Sequence, residues 1–235
     1  MAGSLSGIFD STKKIIVVAG HYGTGKTNVA VNLALAYAAM GERTVIADID
    51  IVNPYFRTAD AAAHLISAGV ECIIPEYANS NVDLPTLPPQ LYSRCSDAAR
   101  GEDVRIILDV GGDDDGAAAL GGLRGAIGEA GYDMLFVANA YRPLTALPED
   151  ALACMRDIEA RCGLRATYVV NNSNLGRETD EATVLDSLPY AEKLCELADL
   201  PLAFTSVMSH IGEKIGDRLA PPVFFIENAT KNIYG

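Results

Sequence analysis

Residues 13–27 read KKIIVVAGHYGTGKT, and the rest of the chain is best read outward from them. The run Ile15–Ala19 is unbroken, apolar and mostly β-branched, which suits a strand covered on both faces. It stops at Gly20, where Gly20-His21-Tyr22-Gly23-Thr24-Gly25-Lys26-Thr27 fits the pattern G-x-x-x-x-G-K-[ST] between a strand and a helix. Glycines let the backbone close into a concave nest whose N–H groups face phosphate oxygens, and the helix that follows adds its positive end. The segment Gly20–Asn28 is therefore a predicted phosphate cradle. Lys26 supplies a mobile cation for the terminal phosphates, and the Thr27 hydroxyl suits Mg²⁺, a hard ion that takes oxygen ligands.

Outward from this loop, short apolar runs alternate with longer helical stretches, the pattern of βα units in a doubly wound, mostly parallel α/β sheet. Seven strands are expected: 15–19, 44–48, 70–74, 104–110, 133–139, 166–171 and 202–207, with 223–226 a short edge addition. Helices are expected over 26–40, 58–67, 89–99, 117–129, 147–162 and 187–197. The Pro- and Asn-rich segment 76–89 reads as a long loop, a candidate lid or switch. One nucleotide-binding domain over residues 1–235 is expected, with 1–12 a flexible tail.

A phosphate-bound metal also needs a carboxylate where a neighbouring strand emerges. Val104-Arg105-Ile106-Ile107-Leu108-Asp109 ends in one, which makes Asp109 the metal-shell candidate. Just beyond, Gly111-Gly112 completes D-x-G-G, and the Gly112 N–H is placed to meet a γ-phosphate.

The loop G-x-x-G-x-G-K-T, a second strand ending Ala47-Asp48-Ile49-Asp50, and D-x-G-G together resemble the MinD/ParA-type nucleotide-binding family, over about Lys14 to Val207. The resemblance implies ATP with Mg²⁺, Asp50 orienting the attacking water, and Asp48 supporting the metal shell. It also implies that Asn171, at the end of the strand 166–171, reads the base. A guanine-type N-K-x-D is absent, since Asn172 and Asn174 stand at its Lys and Asp positions, so ATP is expected over GTP. The family's loop carries a lysine after its first glycine that reaches the phosphates of a dimer partner; His21 stands there in this chain. Histidine near pH 7 carries little charge unless an anion sits beside it, so His21 and Tyr22 are either phosphate or partner contacts or plain loop residues.

Composition narrows the classes further. A net charge of −13 with scattered Lys and Arg disfavours direct nucleic-acid binding. No apolar stretch reaches the roughly 18 residues of a spanning helix, no secretory leader is evident, and the C-terminal VFFIENATKNIYG carries no basic amphipathic helix; a cytoplasmic protein off the membrane is expected. The five cysteines form no C-x-C or C-x-x-C pair, which argues against metal-cluster delivery. Asp113-Asp114-Asp115 is read as a solvated turn or a cation or basic-partner site, and Arg142-Pro143, on the ligand-binding side of the sheet, as a partner or phosphate contact or a surface pair. Three functions remain: a slow ATPase that acts as a nucleotide-controlled switch for a protein partner or homodimer, an ATP-dependent transferase or ligase resembling dethiobiotin synthetase, and a non-hydrolysing ATP-binding module.

Overall fold

The computed structural model describes residues 11, 13–49, 58–74, 87–112, 114–220 and 222–229. The apolar runs become strands β1 (Ile15–Ala19), β2 (Thr44–Ile49), β3 (Glu71–Ile73), β4 (Arg105–Val110), β5 (Tyr132–Ala138), β6 (Tyr168–Asn171), β7 (Leu202–Met208) and β8 (Val223–Ile226). They form one eight-stranded sheet in the order β3-β2-β4-β1-β5-β6-β7-β8, and every pairing is parallel. The expected edge addition is thus a full eighth strand: Val223–Ile226 pairs with Thr205–Met208.

Between the strands lie α1 (Lys26–Ala39), α2 (Thr58–Ser67), α3 (Pro89–Ala99), α4 (Asp114–Gly122), α5 (Arg124–Ala130), α6 (Pro148–Cys162), α7 (Glu181–Asp186), α8 (Leu188–Ala198) and α9 (Ser209–Ile215). The helix expected over 117–129 is two helices that meet at Leu123, a buried residue held in the junction by its N–H bond to Leu120 O. Short α7 and α9 have too few turns to show a helical period in sequence.

Strand alternation divides the core. Ile16 and Val18 of β1 pack with Val29, Leu33 and Tyr37 of α1 and Leu65 of α2, while Ile15, Val17 and Ala19 face Leu91 of α3, Leu120 of α4 and Ile127 of α5. Phe136 and Ala138 of β5 meet Met155 of α6 and Leu194 of α8. Both sheet faces are therefore covered, which is why β1 and β4 are buried along their whole length. β1 sits between β4 and β5, so the chain leaves it toward opposite edges and a crevice opens beyond its C-terminal end. Of residues 1–12 only Ser11 is described; it is buried and donates to Asp133 Oδ2 at 2.6 Å.

Candidate functional site

The loop Gly20–Thr27 fills that crevice, with α1 starting at Lys26 as expected. Its glycines have local causes. Gly25 sits at φ 86°, and a β-carbon there would collide with Asn172 Nδ2. The loop closes on itself through the His21 carbonyl, which accepts from Thr24 N at 3.3 Å, Thr24 Oγ1 at 2.9 Å and Lys26 Nζ at 3.1 Å. Lys26 is only 2% exposed, so its ammonium is stored against the loop's own backbone at the point where a phosphate oxygen would compete for it. Gly112 abuts this same point: a β-carbon on it would stand 2.8 Å from Lys26 Nζ and 2.6 Å from Tyr22 N. The D-x-G-G turn after β4 and the loop after β1 are one constellation.

Asp48 and Asp109 face each other. They are direct partners in the parallel pairing of β2 with β4, and Val18 is the β1 partner of Asp109. Alternation turns both carboxylates to the side of Val18, the side on which α1 and its Thr27 lie. Both are almost fully buried. A hydroxyl and two carboxylates are oxygen donors of the kind Mg²⁺ takes, and with phosphate and water completing the shell few protein ligands are needed. Asp50 lies outside the described residues, as do residues 50–57 and 75–86 of the candidate switch loops and the Asp113–Asp115 side chains.

The asparagines separate into three roles. Asn28, one residue past Thr27, accepts from Ala229 N at 2.9 Å through its Oδ1, and Asn32 one turn on exchanges two hydrogen bonds with Glu227. These two residues tie α1 to the segment after β8. Asn171 is fully buried; its Nδ2 donates to Ser187 Oγ at 3.0 Å and its Oδ1 accepts from Ser173 Oγ at 2.7 Å. Asn172 is the amide that meets the loop. Its Nδ2 donates to Thr24 O at 2.6 Å, and its Oδ1 accepts from Ser206 Oγ of β7 at 2.5 Å. A loop that aims its N–H groups inward must turn carbonyls outward, and buried carbonyls need donors. Asn172 is that donor for Thr24, a role the sequence signalled only through an adjacent pair of asparagines.

On the solvent side, a cleft of about 830 Å³ opens beside the loop. His21, Tyr22 and Gly112 form one wall, and Asp150, Cys154, Asp157 and Arg161 on one stripe of α6 form the other. Tyr22 is 57% and Leu144 68% exposed at its rim. Burial, with the Asp157 carboxylate adding to it, pushes the Cys154 thiol up to about 11, against the opposing pull of Lys26. It stays a neutral thiol at physiological pH.

A Gly-rich loop between β1 and α1 and two facing carboxylates on β2 and β4 thus lie together at one end of the parallel sheet. Residues 10–83 match the ParA family model, described as NUBPL iron-transfer P-loop NTPase. No curated protein matches the sequence significantly. Among solved structures, the signal recognition particle receptor FtsY from Elizabethkingia anophelis aligns with 94% of this chain and 65% of its own, at 18% identity and TM-score 0.49. Chloroplast FtsY from Physcomitrella patens aligns at 16% identity and TM-score 0.50, over 84% of this chain and 59% of that one. A nucleotide-binding protein in complex with ADP from Archaeoglobus fulgidus aligns over 81% of each chain, at 14% identity and TM-score 0.46. The chain thus spans about three-fifths of the length of these FtsY proteins, and the likeness to the chloroplast protein is one of fold.

Proposed function

We propose that this protein binds Mg-ATP at Gly20–Thr27 and hydrolyses it slowly, the bound nucleotide setting its affinity for a protein partner or a second copy of itself. The observation that carries this reading is the convergence of Lys26, the His21 carbonyl and Gly112 at one buried point. A terminal phosphate arriving there takes Lys26 from His21 and meets the Gly112 backbone, so its presence or loss is felt directly by the turn after β4. Thr27, Asp48 and Asp109 would hold Mg²⁺, which supplies charge neutralisation on the phosphate oxygens. Asp50 follows β2 directly and is assigned to the attacking water. Adenine is preferred, because neither register of the Asn171–Asn174 run places an Asp to read guanine. Iron transfer is left out: the two nearest cysteines, Cys154 and Cys162, are eight positions apart. Among the described residues no helix is long and apolar enough to cross a membrane, and membrane binding has no part in the proposal.

A second reading, ATP-dependent transfer to or ligation of a small molecule, draws on the cleft that opens from the phosphate end. Calorimetry of Mg-ATP, Mg-ADP and Mg-GTP on wild type and Lys26→Ala tests the shared premise. Loss of the charge-assisted contacts should weaken Mg-ATP by about tenfold or more. Equal affinity in the two proteins, or displacement of labelled ATP by GTP more readily than by ATP, would sink it. Turnover that rises with small acids or amines but with no protein fraction would favour the second reading.

A further inference from the structure

Arg142 lies against the Gly20–Thr27 loop, and among the described residues its guanidinium has no carboxylate partner. A β-carbon built on Gly23 would be in van der Waals contact with its guanidinium, 3.5 Å from both Nε and Cζ. The backbone beneath it is braced from several sides. Arg142 N donates to Asn139 O at 3.2 Å, and Thr145 N donates to Arg142 O at 2.9 Å. Ala140 N is held by Ser173 Oγ, Tyr141 Oη donates to Thr183 O of α7, and Tyr190 Oη of α8 donates to Thr145 O. The side chain itself makes no hydrogen bond or ion pair with any described residue.

Many of the other cations in this acidic molecule are paired. The chain has 31 acidic residues against 18 Lys and Arg, and Arg94, Arg105, Arg156 and Arg165 all have carboxylate partners. A guanidinium left without one, on a rigid platform and against a loop that otherwise offers Lys26 as its cation, matches the requirement for preorganised charge at a phosphoryl group. A triphosphate carries more negative charge than Mg²⁺ and one lysine neutralise. We infer that Arg142 is a catalytic residue acting in cis: its guanidinium contacts the terminal phosphate oxygens of bound Mg-ATP and stabilises the charge that spreads over them during hydrolysis. This rests on the reading of the loop as an ATP site. It supplies from the same chain a second cation beside a loop whose second residue is His21 and not lysine.

The test compares wild type, Arg142→Ala and Arg142→Lys for Mg-ATP and Mg-ADP affinity and for single-turnover hydrolysis, with and without added guanidinium ion. The side chain is exposed and, among the described residues, unpaired, so both variants should fold, which far-UV circular dichroism and the urea midpoint check. Arg142→Ala should lower hydrolysis by about 10²-fold or more and reduce the preference for Mg-ATP over Mg-ADP. Arg142→Lys should fall between, since a point charge lacks the bidentate fork, and free guanidinium should partly rescue Arg142→Ala but leave wild type unchanged. An Arg142→Ala protein with wild-type hydrolysis and wild-type ATP/ADP preference would overturn the assignment while leaving the ATP site standing. A wild type that binds Mg-ATP without hydrolysing it leaves the affinity ratio to decide. A wild type that binds no nucleotide would overturn the ATP reading itself, and this inference with it.

Discussion

Asn172 offers the sharpest probe of how the loop is held. Replacing it with Ala removes the donor to Thr24 O and the acceptor of the Ser206 hydroxyl, both in a buried environment. Each orphaned buried polar group costs about 1–3 kcal/mol, so the pair would cost about 2–6 kcal/mol. Ser206 Oγ retains a 3.3 Å contact to Asn171 O, which softens its share and places the expected loss at about 2–4 kcal/mol, still large against a typical stability of about 5–15 kcal/mol. With a slope of about 2–3 kcal/mol per molar, urea unfolding should show a midpoint lower by about 0.7–2 M. Asn172→Asp tests the donor alone. It keeps an acceptor for Ser206 but sets a carboxylate against the Thr24 carbonyl, in a site that disfavours charge. Its native pKa is therefore raised above the unfolded value, so the folded state binds more protons in that window. Stability of this variant relative to wild type should rise as pH falls through it, as the neutral acid recovers a donor to Thr24 O. A loss below about 0.5 kcal/mol for Asn172→Ala, which is within ordinary surface effects, together with a pH-independent Asn172→Asp, would refute the role given to this amide.

Three further outcomes are expected. Asp50→Ala should keep Mg-ATP affinity and lose hydrolysis by about 10²-fold or more, whereas a turn-capping role would move binding and turnover together through about 1 kcal/mol of lost stability; paired binding and single-turnover assays separate these. Gly112→Ala would press a methyl group onto the Tyr22 backbone and Lys26 Nζ, so the loop must shift: both the unfolding midpoint and Mg-ATP affinity should fall, the latter by about tenfold, and unchanged affinity would remove Gly112 from the site. Burial alone would raise the Glu159 carboxyl, but hydrogen bonds from Arg156, Ala166 N and Arg165 hold it below the usual carboxylate range. Its stabilisation is thus present above the unfolded pKa and lost as pH falls through the lower folded one; Glu159→Gln should show a flatter loss of stability in acid, measured by urea midpoints between neutral pH and about pH 3.

Much of this protein is written locally. The run Ile15–Ala19 followed by Gly-x-x-Gly-x-Gly-Lys-Thr specifies strand, loop and helix through nearest-neighbour geometry, because buried parallel strands need apolar runs and the nest needs glycine at positive φ. Asp109 at a strand end and Gly112 just after it are likewise set by spacing along one segment. What depends on distant segments was not legible. Asn171 and Asn172 are neighbours in sequence but take different distant partners: Asn171 meets Ser187 between α7 and α8, and Asn172 meets Thr24 of the loop and Ser206 of β7, which no local pattern announces. Asn28 lies within the motif's reach, yet its amide is taken by Ala229, a residue 201 positions away. Sequence placed Arg142 on the ligand-binding side of the sheet without choosing between a phosphate or partner contact and a surface pair; its place against Gly23 follows from β5 lying beside β1. Local chemistry determined that a Gly-rich loop joins β1 to α1; the order of strands in the sheet decided which side chains surround it, because only packing brings together polar groups that sequence keeps more than a hundred residues apart.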